Sequence, residues 1–363
     1  MPDLPLSVWI AAGGSVIFLI FFLAAWQSYR SLPVIRALPE SVDRKNTEPD
    51  CMVVIPARNE AGVIANAVAS LPPDCVIVVD DASDDGTADV ATKAGAGVIS
   101  APPLPKRGFG KPNACAAGAR LLTSRWILFT DADTSFEPGF LASAIAAAEA
   151  KGLSLLSIQL DPDYGSLAEH VLIPYARALV FCGSNPRTHA NALFTGNCLL
   201  VQREPYNFLG THIAVVTQLA EDVKLTALAE RHRLKLGIAR APGLGRRRYY
   251  EGFRGIYRGI ERQAFRFMVV SWLIGVLILL AALCAALWLP LAAWLAWDRQ
   301  WAAVAILALL PVVTLRPWYR NWLTALSAPL AIYWMLPVLA RGLLSAVFGK
   351  PIVWKGRTVR AVS

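Results

Sequence analysis

Short apolar runs that stop at polar clusters mark the middle of the chain. Cys51–Ala57 is apolar and ends in Arg58, Asn59 and Glu60. This reads as a buried strand and turn, and Val63, Ile64, Ala67, Val68 and Leu71 continue at helical spacing. "CVIVVDDASDDGT", from Cys75, is a second strand that ends in acids. "ADVATKAGA" reads as a helix, "GVISAP" as a strand, "NACAAGARLL" as a helix and "RWILFTDAD" as a fourth strand. Strands alternating with helices predict an α/β layer with a mostly parallel sheet. In such sheets ligands sit beyond the carboxyl ends of the strands. The polar groups after each strand, Arg58 and Glu60, Asp80 and Asp81, Asp131 and Asp133, should therefore converge at one edge.

Both ends of the chain carry longer apolar runs. Residues 4–29, 268–297, 301–315 and 321–340 contain no charged side chain. A bilayer core needs about 20 apolar residues in a helix. The first two runs meet that length; the third is short and the fourth contains Pro329 and Pro337. The predicted organisation is an N-terminal transmembrane anchor over 1–30 and a catalytic-sized α/β domain over 50–240. A basic amphipathic interfacial segment over 241–267, transmembrane or re-entrant helices over 268–345 and a basic tail over 346–363 follow. No Lys or Arg precedes the first run, while Arg30, Arg36, Arg44 and Lys45 follow it. It does not read as a signal peptide, and the positive-inside tendency puts the globular part on the cytoplasmic face of a multi-pass inner-membrane protein. Three C-terminal spans would put Lys350, Lys355, Arg357 and Arg360 outside, against that tendency. One segment, the last by its prolines, should then be re-entrant or interfacial.

Composition agrees: the 363 residues are 55% hydrophobic and 17% charged, with net charge +9. The six cysteines show no metal spacing and read as reduced thiols. Positive charge is concentrated at Arg240, Arg246, Arg247, Arg248, Arg254, Arg258 and Arg262, interleaved with Tyr249, Tyr250, Phe253 and Tyr257. This segment reads either as an interfacial helix on anionic inner-leaflet lipids or as a phosphate clamp. Its run into an apolar segment argues against nucleic acid as a partner.

Four constellations carry chemistry. Asp131 and Asp133 could hold Mg²⁺ or Mn²⁺, hard cations that take oxygen ligands; the plain alternative is a solvated turn. One of Asp80 and Asp81 could accept from a nucleobase or ribose, whereas Ser83, Asp84 and Asp85 read as a turn and helix cap. "KRGFGKPNA" places Lys111 before a helix, where it could hold a phosphate or lie in a flexible loop. Glu221 and Asp222 in "LAEDVKL" are an acid pair that gains meaning only beside a metal and a diphosphate.

Taken together, "VVIPARNE", "VIVVDDASDDGT", "GFGKPNACAAGA", "ILFTDADTSFEPG", "FTGNCLLVQREPY", "LGTH" and "LAEDVKL" resemble the family-2 glycosyltransferases, which have the GT-A fold. The form is similar to a narrower branch of hopanoid-associated and carotenoid-acid glycosyltransferases, and "WKGR" at 354–357 is similar to the carotenoid type. The resemblance covers about residues 50 to 270. It implies a nucleotide-diphosphate sugar as donor, a UDP-sugar first, held by Pro56, Arg58, Glu60 and Asp80 or Asp81. Asp133 would be the principal metal ligand, with Asp131 near the metal or ribose. Asp222, beside Glu221, would be the base that deprotonates the acceptor, giving inversion. Gly196 and Asn197 fall on the acceptor side. Gln263 and Arg266 match a Gln-x-x-Arg-Trp motif in which Phe267 replaces the Trp, leaving Arg266 as a phosphate contact or an interfacial arginine. The acceptor implied is a membrane lipid: polyprenyl phosphate, hopanoid or carotenoid. The alternatives are a non-catalytic sugar-nucleotide scaffold and a processive polysaccharide synthase.

Overall fold

The computed structural model describes residues 4–38, 50–182, 194–354 and 357–359. Arg44, Lys45, Lys355 and Arg360 lie outside them. In chain order the elements are α1 (Leu6–Ser31), β1 (Cys51–Ala57), α2 (Ile64–Ala69), β2 (Val76–Asp80), α3 (Thr87–Lys93), β3 (Gly97–Ser100) and α4 (Gly110–Ala119). Then come β4 (Trp126–Thr130), β5 (Thr134–Phe136), α5 (Phe140–Glu149), β6 (Leu155–Gln159), β7 (Asp161–Asp163), α6 (Leu167–Cys182), β8 (Cys198–Gln202) and α7 (Arg203–Phe208). The remainder is α8 (Glu221–Arg231), β9 (Leu236–Arg240), β10 (Gly245–Arg248), α9 (Gly252–Val270), α10 (Trp272–Ala286), α11 (Trp288–Trp297), α12 (Trp301–Leu315), α13 (Trp322–Ala325), α14 (Ala328–Val347), β11 (Ile352–Trp354) and β12 (Arg357–Val359).

Seven strands form one sheet in the order β3-β2-β1-β4-β8-β6-β9. All neighbours are parallel except those of β8, which runs antiparallel to β4 and β6. The parallel strands read as unbroken apolar runs because both faces are covered. Val53 and Ile55 join one core with Ile64, Leu128 and Phe140. Val54, Phe129 and Leu199 join another that continues without a break into Phe18 and Phe22 of α1, Ile278 of α10 and Leu339 of α14. The sheet and the apolar helices therefore share one hydrophobic core.

Four helices are long and apolar enough to cross a membrane: Leu6–Ser31, Trp272–Trp297, Trp301–Trp318 and Ala328–Val347. They keep large apolar side chains exposed, such as Trp9, Ile20, Leu280, Ile306 and Leu330. Around the end of α1, Tyr29 lies between the guanidinium groups of Arg177 and Arg240, at 5.5 and 4.6 Å from its ring centroid, and packs on Phe181 and Trp318.

Two boundaries move. The basic segment does not begin as an interfacial helix: Gly245–Arg248 is a strand of a second, three-stranded sheet, β5-β10-β7. Gly245, Arg246 and Arg247 pair with Phe136, Ser135 and Thr134. Backbone pairing fixes this stretch to the α/β domain, and the amphipathic helix starts only at Gly252. The last apolar run splits into the short α13 and, from Ala328, the long α14, which lies beside α9. Phe253 meets Trp334, Glu261 pairs with Arg341, and the Cα of Gly342 lies so near the Glu261 carbonyl and Ala264 that a Cβ would have no room.

Candidate active site

β4 is fully buried and ends at Thr130. The turn beyond it is held by the Asn197 carbonyl, which accepts from Thr130 Oγ1 (3.0 Å) and the Asp131 amide (3.1 Å). Thr134 Oγ1 donates to the Asp131 carbonyl at 2.7 Å. Asp131 and Asp133 leave this turn toward one point. That point is occupied by the guanidinium of Arg247, with Nη2 3.0 Å from Asp131 Oδ2 and Nε 3.1 Å from Asp133 Oδ1. The ring of Tyr249 stacks below it, 4.9 Å away.

Lys111, in the first turn of α4, reaches the other oxygen of Asp131 at 2.6 Å, the Gly196 carbonyl at 3.1 Å and Glu221 at 3.9 Å. Its expected phosphate contact is thus, in this structure, a contact with the aspartate. Glu221 and Asp222 open α8, where the helix dipole favours acids. Asp222 accepts from the amides of Gly196 and Val223, each at 2.8 Å, and pairs with Arg266. In this structure Arg266 is the counter-ion of Asp222, and it also lines the cleft. Gly196 suits this spot because a Cβ there would stand 3.2 Å from that of Asp222.

Four carboxylates therefore face three cations in an alternating chain: Asp133, Arg247, Asp131, Lys111, the Glu221–Asp222 pair and Arg266. Burial sets their protonation against these neighbours. It raises the Asp133 carboxyl above the usual range despite Arg247. It acts on Asp131 too, but Lys111 and Arg247 hold that carboxyl below the usual range. Burial, and then the charge of Asp222, lift Glu221 to about 7. The Lys111 ammonium stays protonated despite burial, because Asp131 and Glu221 face it.

These groups line one cleft of about 1950 Å³. Pro56, Arg58, Glu60 and Asp81 form its wall at the ends of β1 and β2, and Gln263 and Arg266 line it from α9. Asp80 does not line it. Its Oδ2 accepts from the Ser83 amide, and its Oδ1 is buried without a hydrogen bond. Of the two acids, Asp81 is the one placed to meet a ligand. Asp85 caps its own turn through the Ala61 and Thr87 amides, as its sequence suggests. Beyond the charged groups, α14 adds Pro337, Leu344 and Phe348 to the wall, and Lys350 and Ile352 follow. The chain after α14 thus returns to the catalytic domain.

Arg247 was not legible as a site residue. Along β10 Gly245 and Arg247 are buried while Arg246 is exposed, but three consecutive arginines hide that alternation. The one available signal was the clamp alternative for the basic segment.

A mixed α/β sheet with paired aspartates at the end of a central strand, facing an acid pair at a helix N-terminus, has the arrangement of the GT-A fold. Residues 52–206 match the family described as Glycosyl transferase family 2. The chain is 27% identical over 259 residues to 4,4'-diaponeurosporenoate glycosyltransferase of Staphylococcus aureus (strain USA300), covering 65% of this chain and 68% of the relative. It is 25% identical over 263 residues to the Staphylococcus haemolyticus (strain JCSC1435) protein of that name, covering 65% and 70%. The fold is similar to that of the mannosyltransferase PcManGT from Pyrobaculum calidifontis, solved with GDP-Man and Mn²⁺. The TM-score is 0.57 and the identity 19%, over 95% of this chain and 100% of that one. Residues 52–206, about two-fifths of the chain, thus carry a family-2 glycosyltransferase domain.

Proposed function

We propose that the protein is an inverting, metal-dependent glycosyltransferase that moves a sugar from a nucleotide-diphosphate donor to a membrane lipid at the cytoplasmic face of the inner membrane. One observation carries the lipid reading. The cleft that holds Asp131 and Asp133 runs on along α14, whose Leu344 and Phe348 line it while remaining 52% and 68% exposed. An acceptor with a polar end and an apolar tail suits such a path. The Staphylococcus relatives, whose name gives diaponeurosporenoate, a carboxylate, support a lipid of that kind.

The two aspartates fit Mg²⁺ or Mn²⁺: an all-oxygen pair converges on a point that a cation already occupies. Among the described residues no cluster of three or more His, Cys, Asp or Glu would hold a metal unaided, so the donor's diphosphate supplies further oxygens. When bound, the ion supplies a Lewis acid for the leaving diphosphate. PcManGT, solved with GDP-Man and Mn²⁺, supports this pairing; a UDP-sugar is the other donor class. Asp81, Arg58 and Glu60 would receive the nucleoside, and Lys111 would add positive charge beside the diphosphate. An acceptor hydroxyl would give its proton to the acid pair, whereas an acceptor carboxylate, already ionised, would attack without that transfer. Asp222 would act as the base, and beside it burial and the Asp222 charge lift Glu221 to about 7, near the pH where a base works best. A single displacement inverts the anomeric carbon.

The test is incubation of the detergent-solubilised chain with labelled UDP- and GDP-sugars, Mn²⁺ and a membrane lipid extract. Label should enter the lipid phase, and EDTA should abolish this. A polymeric product would favour the synthase instead. Nucleotide binding with no turnover on any donor would favour the scaffold.

A further inference from the structure

Arg247 stands at the point between Asp131 and Asp133 proposed for a divalent ion. Its backbone is pinned on both sides, by Thr134 of β5 and Pro162 of β7. Only the side chain can move. That side chain is 8% exposed and faces two carboxylates, each about one-fifth exposed to the cleft. Asp131 has a second cation in Lys111. Among the described residues, Arg247 is the one cation paired with Asp133.

Two positive ions cannot share this point at close range without strong repulsion. Removing the guanidinium to nowhere would leave it desolvated and unpaired, which is costly. The exchange becomes favourable only when new anionic oxygens arrive for Arg247. A diphosphate brings them, and arginine matches phosphate oxygens with its planar fork. The scarcity of protein ligands points the same way, since two carboxylates make a poor site for a free ion.

We propose that Arg247 is the resident counter-ion of Asp131 and Asp133 and acts as an exchange residue. It gives up the two carboxylates only when a nucleoside diphosphate arrives, and then pairs with the diphosphate. Metal and nucleotide therefore bind as a coupled pair, and neither binds well alone. This rests on the donor-site reading above and adds an order to it. Coupling between two ligands is reciprocal, so each tightens the other by the same factor.

The experiment is titration of Mn²⁺ into the full-length solubilised protein, followed by electron paramagnetic resonance of free Mn²⁺, with and without UDP or GDP. Wild type should bind Mn²⁺ weakly alone and about tenfold or more tightly with the nucleotide, the usual size of such coupling. Arg247→Gln removes the competing charge. It should bind Mn²⁺ alone better than wild type, and the gain from nucleotide should shrink. Arg247→Lys keeps the charge and should behave like wild type with Mn²⁺ alone. Thermal unfolding of each variant shows whether it folds. If Arg247→Gln folds and binds Mn²⁺ alone no better than wild type, the proposal fails. If Arg247→Gln does not fold, the wild-type arms decide: Mn²⁺ bound as tightly without nucleotide as with it overturns the exchange. Nucleotide binding with no coupling to Mn²⁺ defeats this inference alone. No nucleotide binding under any condition defeats the donor site as well.

Discussion

Arg266 of α9 pairs with Asp222 of α8, 44 residues earlier in the chain. The contact ties the amphipathic helix to the acid that the family motif marks as base. Removing the guanidinium leaves a carboxylate with 5% side-chain exposure short of its counter-ion. We expect Arg266→Ala to lose about 3 kcal/mol or more of stability, as when one member of a buried pair is deleted. It should also lower kcat about 100-fold with a smaller change in donor KM. Thermal unfolding and nucleoside-diphosphate release measure both. A variant with a raised donor KM and unchanged kcat would return Arg266 to a phosphate role.

Lys111 holds Asp131 and the Gly196 carbonyl together. Lys111→Met should keep the fold, since the aliphatic stem can still pack, but it removes one of the three cations. Donor binding should weaken about tenfold or more, measured by nucleotide titration, because a charge-assisted contact beside the diphosphate is lost.

Glu221 gives a pH signature. Its carboxyl rises from an ordinary 4.5 to about 7 in the folded chain. The folded state therefore binds this proton more tightly than the unfolded state does. The stabilisation is fully present below 4.5 and is lost as pH rises through 7. The span corresponds to about 3 kcal/mol at most. Wild type should lose stability between pH 5 and roughly 8 from this group, whereas Glu221→Gln should show a flatter profile. Thermal unfolding across that range checks it, and identical profiles would contradict the assignment.

Gly342 marks the closest approach of α14 to α9. A Cβ there would run into the Glu261 carbonyl and come 2.8 Å from the Ala264 Cβ. Gly342→Val should push the helices apart and cost about 1–3 kcal/mol. It should also reduce lipid-acceptor turnover more than nucleotide binding, because Leu344 lies one half-turn further along the same cleft wall.

The strand ends were readable because covered parallel strands leave unbroken apolar runs, and Asp131, Asp133, Arg58 and Asp81 duly meet in one cleft. What could not be read was the pairing of charges. Arg247 and Asp133 lie 114 residues apart, and no local pattern says which arginine of a run turns inward. Likewise Asp80 and Asp81 are interchangeable in sequence, and only the turn at Ser83 separates a ligand-facing acid from a turn-capping one. The place of the acid pair at the very start of α8 also depends on the fold, since Leu219 before it continues the apolar spacing. The fate of the last apolar run also depended on tertiary contacts. Of its two prolines, Pro329 stands in the first turn of α14, after α13, whereas α14 runs through Pro337 and packs along α9.

The single core joining Val54 and Phe129 of the sheet to Phe18, Ile278 and Leu339 of the apolar helices has a practical consequence. A fragment cut before Trp272 would expose the underside of its own sheet and lack the wall that α14 gives the cleft. On the proposed function, exchange of the α/β domain alone would carry over the taste for a sugar nucleotide but leave the choice of lipid behind with the anchor.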